Sequence, residues 1–200
     1  MYKAFDDETD AHIGSTAPSS RGRFDAATIF LHWLTVLLFL PLIASALLLR
    51  YGDGIDRRAL LDIHRGAGAI LWCVMFGRLL WRSSFAHLPP FPSTMTTIHR
   101  WVVKASEYAL YALVLLQPIT GLLMTLLQGK PFTLVIWQVP ALFPRNYELA
   151  QLVHQIHEPV GYALFCLIGL HGSAALFHHY VLRDDILEAM LPVARRAHRD

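Results

Sequence analysis

Cysteine is nearly absent from this 200-residue chain: Cys73 and Cys166 are the whole supply, and both fall inside apolar runs. Two such thiols make no disulfide framework, and no Cys-x-x-Cys-His is present for covalent haem attachment. They read as small buried hydrophobes that serve packing. Net charge is missing too. Seventeen Lys and Arg against fifteen Asp and Glu leave +2, which makes no case for nucleic-acid binding. The first 22 residues, "MYKAFDDETDAHIGSTAPSSRG", lack the apolar centre of a secretory signal, so they are expected to form a flexible cytoplasmic tail containing His12.

What is present is apolar length. Hydrophobic residues make up 54% of the chain and mean hydropathy is +0.40, too high for an ordinary soluble domain. Four membrane spans are predicted: 28–49, 59–81, 108–128 and 159–182. In the second, only "GAGAILWCVMFG" is free of charge. Asp62, His64, Arg65 and Arg78 lie towards its ends, where long side chains can reach the interface. Pro41 and Pro118 are expected to kink the first and third spans. The predicted fold is therefore all-α, a transmembrane four-helix bundle. Its domain covers residues 23–192, between the tail 1–22 and a basic tail 193–200.

With four spans, both termini share a side with the 82–107 connection. That side carries eleven Lys and Arg, against six on the other, so both termini are expected in the cytoplasm. Residues 129–151 then form a long outer loop, read as lying on the membrane surface.

The fourth span, "GYALFCLIGLHGSAALFHHY", breaks its apolar run only with histidine. Ionisable groups inside a span are functional candidates by default. Depth sorts them. His32 lies near the inner end of the first span and His64 near the outer end of the second. His157 lies near the outer end of the fourth, and His171 falls in its inner half. His157 and His171 are fourteen residues apart, about 3.9 turns, so they share a helix face about 21 Å apart. Depth pairs His64 with His157 and His32 with His171.

Two levels of paired neutral imidazoles suit a planar cofactor with two axial ligands, the arrangement of a six-coordinate b haem used for electron transfer. Gly66, Gly68, Gly161, Gly169 and Gly172 flank the candidate ligands. They either let a porphyrin approach the backbone or permit close helix packing.

The chain resembles the bacterial cytochrome b561 family from about Arg23 to Pro192. The motifs are "FLHWLT", "DIHRGAGAILWCVMFGRLLWR", "PITGLLM" and "HEPVGYALFCLIGLHGSAALFHHY". The resemblance implies two b haems per chain, with axial ligands corresponding to His32, His64, His157 and His171. It implies an inner-membrane electron conduit that exchanges electrons with ubiquinone. One branch of the family is a superoxide oxidase, which takes an electron from superoxide at the periplasmic face. The resemblance also implies that His178 lies near the inner haem and is associated with quinone. Related sequences often carry histidine near the start of the third helix. Here His99 lies upstream of that place, with Lys104 and Glu107 nearby, and His99 reads as interfacial.

His178 is seven residues beyond His171 on the same face, and an imidazole there suits proton exchange. His179 points about 100° away and reads as interfacial. His154 has no partner in the pattern, and His87 and His198 read as solvated. Arg65 and Arg78 either bind haem propionates or snorkel to the interface.

Steering superoxide calls for positive charge outside. Residues 50–65 carry four Arg against three Asp, and 129–151 one Lys and one Arg against one Glu, so clustering matters more than the total. Two other functions remain: a haem-bearing anchor subunit of a larger dehydrogenase, or a histidine-based metal-ion transporter. The transporter fits poorly, because the ligands form two separated pairs with few carboxylates along a path.

Overall fold

The computed structural model describes residues 23–86, 91 and 95–192. His12, His87, His198 and the tails 1–22 and 193–200 lie outside the described residues. Four long helices dominate. α1 runs Ala26–Tyr51, α2 Arg57–Ser84, α3 Thr97–Leu127 and α4 Tyr147–Phe177. Each is long and apolar enough to cross a membrane.

Capping side chains set where the helices start. Asp25, Asp56, Thr96 and Asn146 each accept a backbone N–H of the first turn. This explains why α3 and α4 begin eleven and twelve residues before the spans drawn from hydropathy. The apolar window marks what hydrocarbon requires, whereas the cap marks where the backbone turns helical. α1 stops at Gly52, whose N–H bonds the Leu48 carbonyl at 2.9 Å. A Cβ at Gly52 would stand 2.6 Å from that same oxygen.

The loop between α3 and α4 is not featureless. Residues Phe132–Leu134 (β1) and Trp137–Val139 (β2) form an antiparallel hairpin, with Phe132 opposite Val139. Phe132 is buried, and Val135 brings its Cα to 3.5 Å from the Cβ position of Gly66. The hairpin thus folds onto α2. Beyond Phe177 the chain tightens into a single π-helical turn, His178–Leu182. It reverses at Arg183 (φ 52°) and ends in the short helix α5, Ile186–Met190.

α1 packs along α2, and α3 along α4, with α2 and α3 joining the two pairs. The backbones of α1 and α4 scarcely approach each other. One end of the bundle, here the tail end, gathers the start of α1, the end of α2, the start of α3 and the end of α4. The Trp81 indole donates to Asp25 (2.9 Å) and the Trp33 indole to the Met190 carbonyl (2.8 Å). The opposite, hairpin end holds the Arg50–Glu158 ion pair (3.4 Å) and the hairpin itself.

The most closely packed part is central: Leu71, Met75, Val114 and Leu164, with Leu38, Leu42 and Leu110 against them. Much of the remaining apolar surface faces outward, including Phe30, Leu40, Trp101 and Leu170, each more than 60% exposed. That distribution would be a liability in water but is the expected surface towards lipid. Cys73 and Cys166 belong to it. Both are exposed on the bundle exterior rather than packed inside, a position hydrocarbon tolerates for a thiol.

Candidate paired-histidine sites

At the tail end, α1 and α4 bring His32 and His171 together, their ring centroids 6.4 Å apart and their planes at 57°. At the hairpin end, α2 and α4 do the same for His64 and His157, at 6.4 Å and 78°. The equality is informative. An imidazole bound through nitrogen at about 2.0–2.1 Å has its centroid about 3.2 Å from the metal. Two rings on opposite sides of one metal are then about 6.4 Å apart. Both pairs have that spacing. Leu164 lies seven residues from each α4 histidine, so the central core separates the two levels.

The rings are oriented by neighbours. Ser45 Oγ lies 3.0 Å from His64 Nδ1, and Thr120 Oγ1 lies 2.8 Å from His157 Nδ1. Occupation of Nδ1 directs Nε2 towards a ligand, the usual division in metal-binding histidine. His157 is further held in place by its backbone. Gln117 Nε2 donates to its carbonyl at 2.7 Å, leaving the buried Gln117 Oε1 unpartnered. Gly121 admits the ring, since a Cβ there would be 3.0 Å from His157 Cε1. Neither Ser45, Thr120 nor Gly121 was singled out from the sequence, because their relation to the ligands is entirely between helices.

The tail-end pair has charged surroundings. Arg78 Nη2 donates to His32 Nδ1 at 3.2 Å, and its guanidinium lies 5.4 Å from the centre of the Tyr111 ring. Its Nε is buried without a partner. Beside it, Arg82 grips Glu107 through two contacts of 2.7 and 3.0 Å. Arg65 at the hairpin end pairs with Asp62 (3.6 Å) and lies over Phe132. Each candidate arginine therefore neighbours one histidine level.

The remaining candidates divide. His178 is buried, and its Nδ1 meets Asp184 Oδ2 at 2.5 Å. Its Nε2 lies 3.2 Å from His99 Nε2, so the histidine read as interfacial stands against His178. His154, unassigned from the sequence, pairs with Glu158 at 3.5 Å. His179 stacks edgewise on Tyr180. Among the flanking glycines, Gly66, Gly68 and Gly161 abut Val135, Leu42 and Gln117, whereas Gly169 and Gly172 have open space.

A surface cavity of about 300 Å³ at the hairpin end is lined by Lys130, Arg145 and His154. Gly129, in the left-handed region (φ 60°), makes this possible: Arg145 presses so close that a Cβ would meet its backbone at 2.7 Å.

Residues 23–193 match the family described as prokaryotic cytochrome b561. The chain belongs to that family. It is 32% identical over 176 residues to cytochrome b561 homolog 1 of Escherichia coli (strain K12), covering 85% of this chain and 97% of the relative. Identity to cytochrome b561 homolog 2 of the same organism is 30% over 173 residues, covering 84% and 91%. A probable superoxide oxidase CybB of Yersinia pestis is 27% identical over 175 residues, covering 86% and 98%. This b561 protein is thus a multi-pass membrane electron carrier, and its family implies haem b. The paired imidazoles at 6.4 Å fit that group, as does the orphaned Arg78 Nε beside one pair, a donor suited to an anionic carboxylate.

Proposed function

We propose that this b561 protein holds two b haems, His32 and His171 ligating one and His64 and His157 the other. It carries electrons across the bacterial inner membrane between an outer donor, superoxide, and ubiquinone. The observation that carries this reading is the 6.4 Å centroid spacing repeated at both levels. Haem supplies reversible one-electron chemistry that no side chain here can provide.

The chain's own residues orient and tune. Ser45 and Thr120 engage Nδ1 of His64 and His157, which leaves Nε2 of each ring for a ligand. Arginine is a donor only, so His32 accepts from Arg78 at Nδ1. For His32 Nε2 to bind iron as a neutral ligand, the guanidinium turns away from the ring. A propionate is then a suitable partner for Arg78, and Arg65 is the equivalent candidate at the other level.

The excess of basic residues at the tail end supports placing it in the cytoplasm, with the hairpin end outside. Superoxide, which the name of the Yersinia pestis relative suggests, would leave its electron at the hairpin end and depart as dioxygen. The Lys130–Arg145–His154 cavity supports attraction of an anion there. Ubiquinone is assigned to the tail end, where two electrons arriving singly and two protons convert it to quinol. His178 is the residue proposed to hydrogen-bond its carbonyl. Because both ring nitrogens of His178 are engaged, that carbonyl takes the place of His99 at Nε2.

A pyridine haemochrome assay on the fully loaded protein tests the assignment. Two non-covalent b haems per chain are expected, and one per chain would overturn the pairing.

A further inference from the structure

The third histidine contact differs in kind from the two haem-type pairs. His99 and His178 have ring centroids 5.0 Å apart and planes at 36°, with Nε2 facing Nε2 at 3.2 Å. Two nitrogens bound to one tetrahedral metal at about 2.0–2.1 Å stand about 3.3 Å apart, with ring centroids about 5.2 Å apart. The same bond lengths that predict about 6.4 Å for ligands on opposite sides of iron thus predict the shorter spacing found here.

His178 is also backed as a metal ligand usually is. Its far nitrogen, Nδ1, faces the Asp184 carboxylate, the kind of partner that orients a metal-binding histidine. Asp184 is itself held: Oδ1 accepts from Ile186 N–H (3.2 Å), and its own N–H bonds the His178 carbonyl (3.2 Å). The π turn and the left-handed Arg183 are what fold the carboxylate back onto the ring. π turns inside helices frequently mark functional sites.

We propose that His99 and His178 form a binding site for a divalent transition metal at the tail end, separate from both haem sites and exclusive of the quinone carbonyl proposed for the same His178 nitrogen, with Zn²⁺ the best match. Imidazole suits zinc, copper and nickel, and the near-tetrahedral spacing selects zinc among them. No group of three or more His, Cys, Asp or Glu among the described residues is arranged to hold a metal. The protein therefore supplies two nitrogens, and water completes the coordination from the side of His99, which is only partly buried. Such a site is open and exchangeable rather than structural.

The test uses the haem-loaded protein in detergent, stripped of adventitious metal by chelator and dialysed against ZnCl₂. Zinc per chain is read by atomic absorption, and affinity by competition with a chromogenic chelator. Wild type is expected to retain one zinc more than His99→Gln, while both keep the same haem spectrum. Asp184→Asn, with both ligands intact, should bind the same zinc 10–100-fold more weakly, the usual cost of losing a carboxylate behind a metal-binding histidine. Equal stoichiometry and affinity in wild type and His99→Gln would overturn the site and leave the contact a hydrogen bond. If His99→Gln fails to retain its haems, Asp184→Asn decides: unchanged zinc affinity in that variant overturns the proposal equally. The protein is first freed of quinone, which would otherwise hold the same His178 nitrogen, so failure of the proposed electron route leaves this test intact.

Discussion

The two histidine levels share a spacing and differ in what stands behind the rings. At the hairpin end the neighbours are neutral hydroxyls, Ser45 and Thr120, and the nearby Arg65 is partly offset by Asp62. At the tail end the neighbour is the Arg78 guanidinium, while the adjacent carboxylate, Glu107, is taken by Arg82. Identical imidazole pairs therefore sit in different fields. A fixed positive charge favours the reduced state of a redox centre beside it, so the proposed tail-end haem is the better electron acceptor.

Removing one ligand from each level is the strongest way to break this comparison. His171→Ala should cost the tail-end haem alone, since His64 and His157 are about 21 Å away along α4 at helical rise. Superoxide should then reduce the remaining haem in a single turnover, with no onward transfer to quinone. His64→Ala should show the reverse, with quinol still reducing the tail-end haem. Stopped-flow spectra with donor supplied from either end read both patterns. Loss of the same haem in both variants would refute the assigned levels.

A steric change should reproduce half of that result without touching a ligand. Gly121→Val places methyl groups where a Cβ alone already lies 3.0 Å from His157. It should displace that ring and lower haem content to one per chain, with the tail-end spectrum unchanged. Full loading would show that the ring has room to yield.

Charge removal sharpens the comparison more gently. Arg78→Gln should keep both haems and lower the tail-end potential, by an amount near the about 59 mV that a tenfold change represents for one electron. Redox titration followed optically should find the hairpin-end potential unmoved. For the outer face, Arg57→Gln with Arg58→Gln should lower the second-order rate with superoxide and flatten its salt dependence if those residues steer the anion. Lys130→Gln with Arg145→Gln is the alternative pair. Whichever pair leaves rate and salt slope unaltered is not the steering patch.

The smallest effect concerns the cap of α1. Burial pulls the Asp25 carboxyl upward, but hydrogen bonds from Thr28 and the Trp81 indole together outweigh it and hold the group below the usual carboxylate range. A depressed folded-state pKa contributes stability above the unfolded value of about 3.9 and loses it as pH falls through the folded value. Asp25→Ala should therefore lower stability by about 1 kcal/mol at neutral pH, with the gap to wild type narrowing in acid. Loss of the haem band on heating in detergent measures it. A constant difference down to strong acid would assign the effect to packing.

Much of the site was legible in the sequence because helical geometry is local. The four ligand candidates followed from depth along apolar runs and from the fourteen-residue spacing of His157 and His171. What was misjudged lay where information is non-local. Hydropathy undercut the starts of α3 and α4, since it does not register the caps at Thr96 and Asn146. It also left residues 129–151 without the β-hairpin, whose strands are three residues each and held by Phe132 against α2. The contact of His99 with His178 was not legible either, because the two are 79 residues apart.

The sequence by itself determined four apolar helices, their antiparallel order and which of the four paired histidines share a level, because burial in hydrocarbon and a rise of about 1.5 Å per residue need no partner. Only the tertiary structure decided what stands behind each ring: Ser45 and Thr120 at one level, Arg78 at the other, and His99 with Asp184 around His178. Those contacts depend on the rotation of one helix against another and on a π turn that reverses the chain. Both are products of packing between residues far apart in sequence, and periodicity within a single helix carries no record of them.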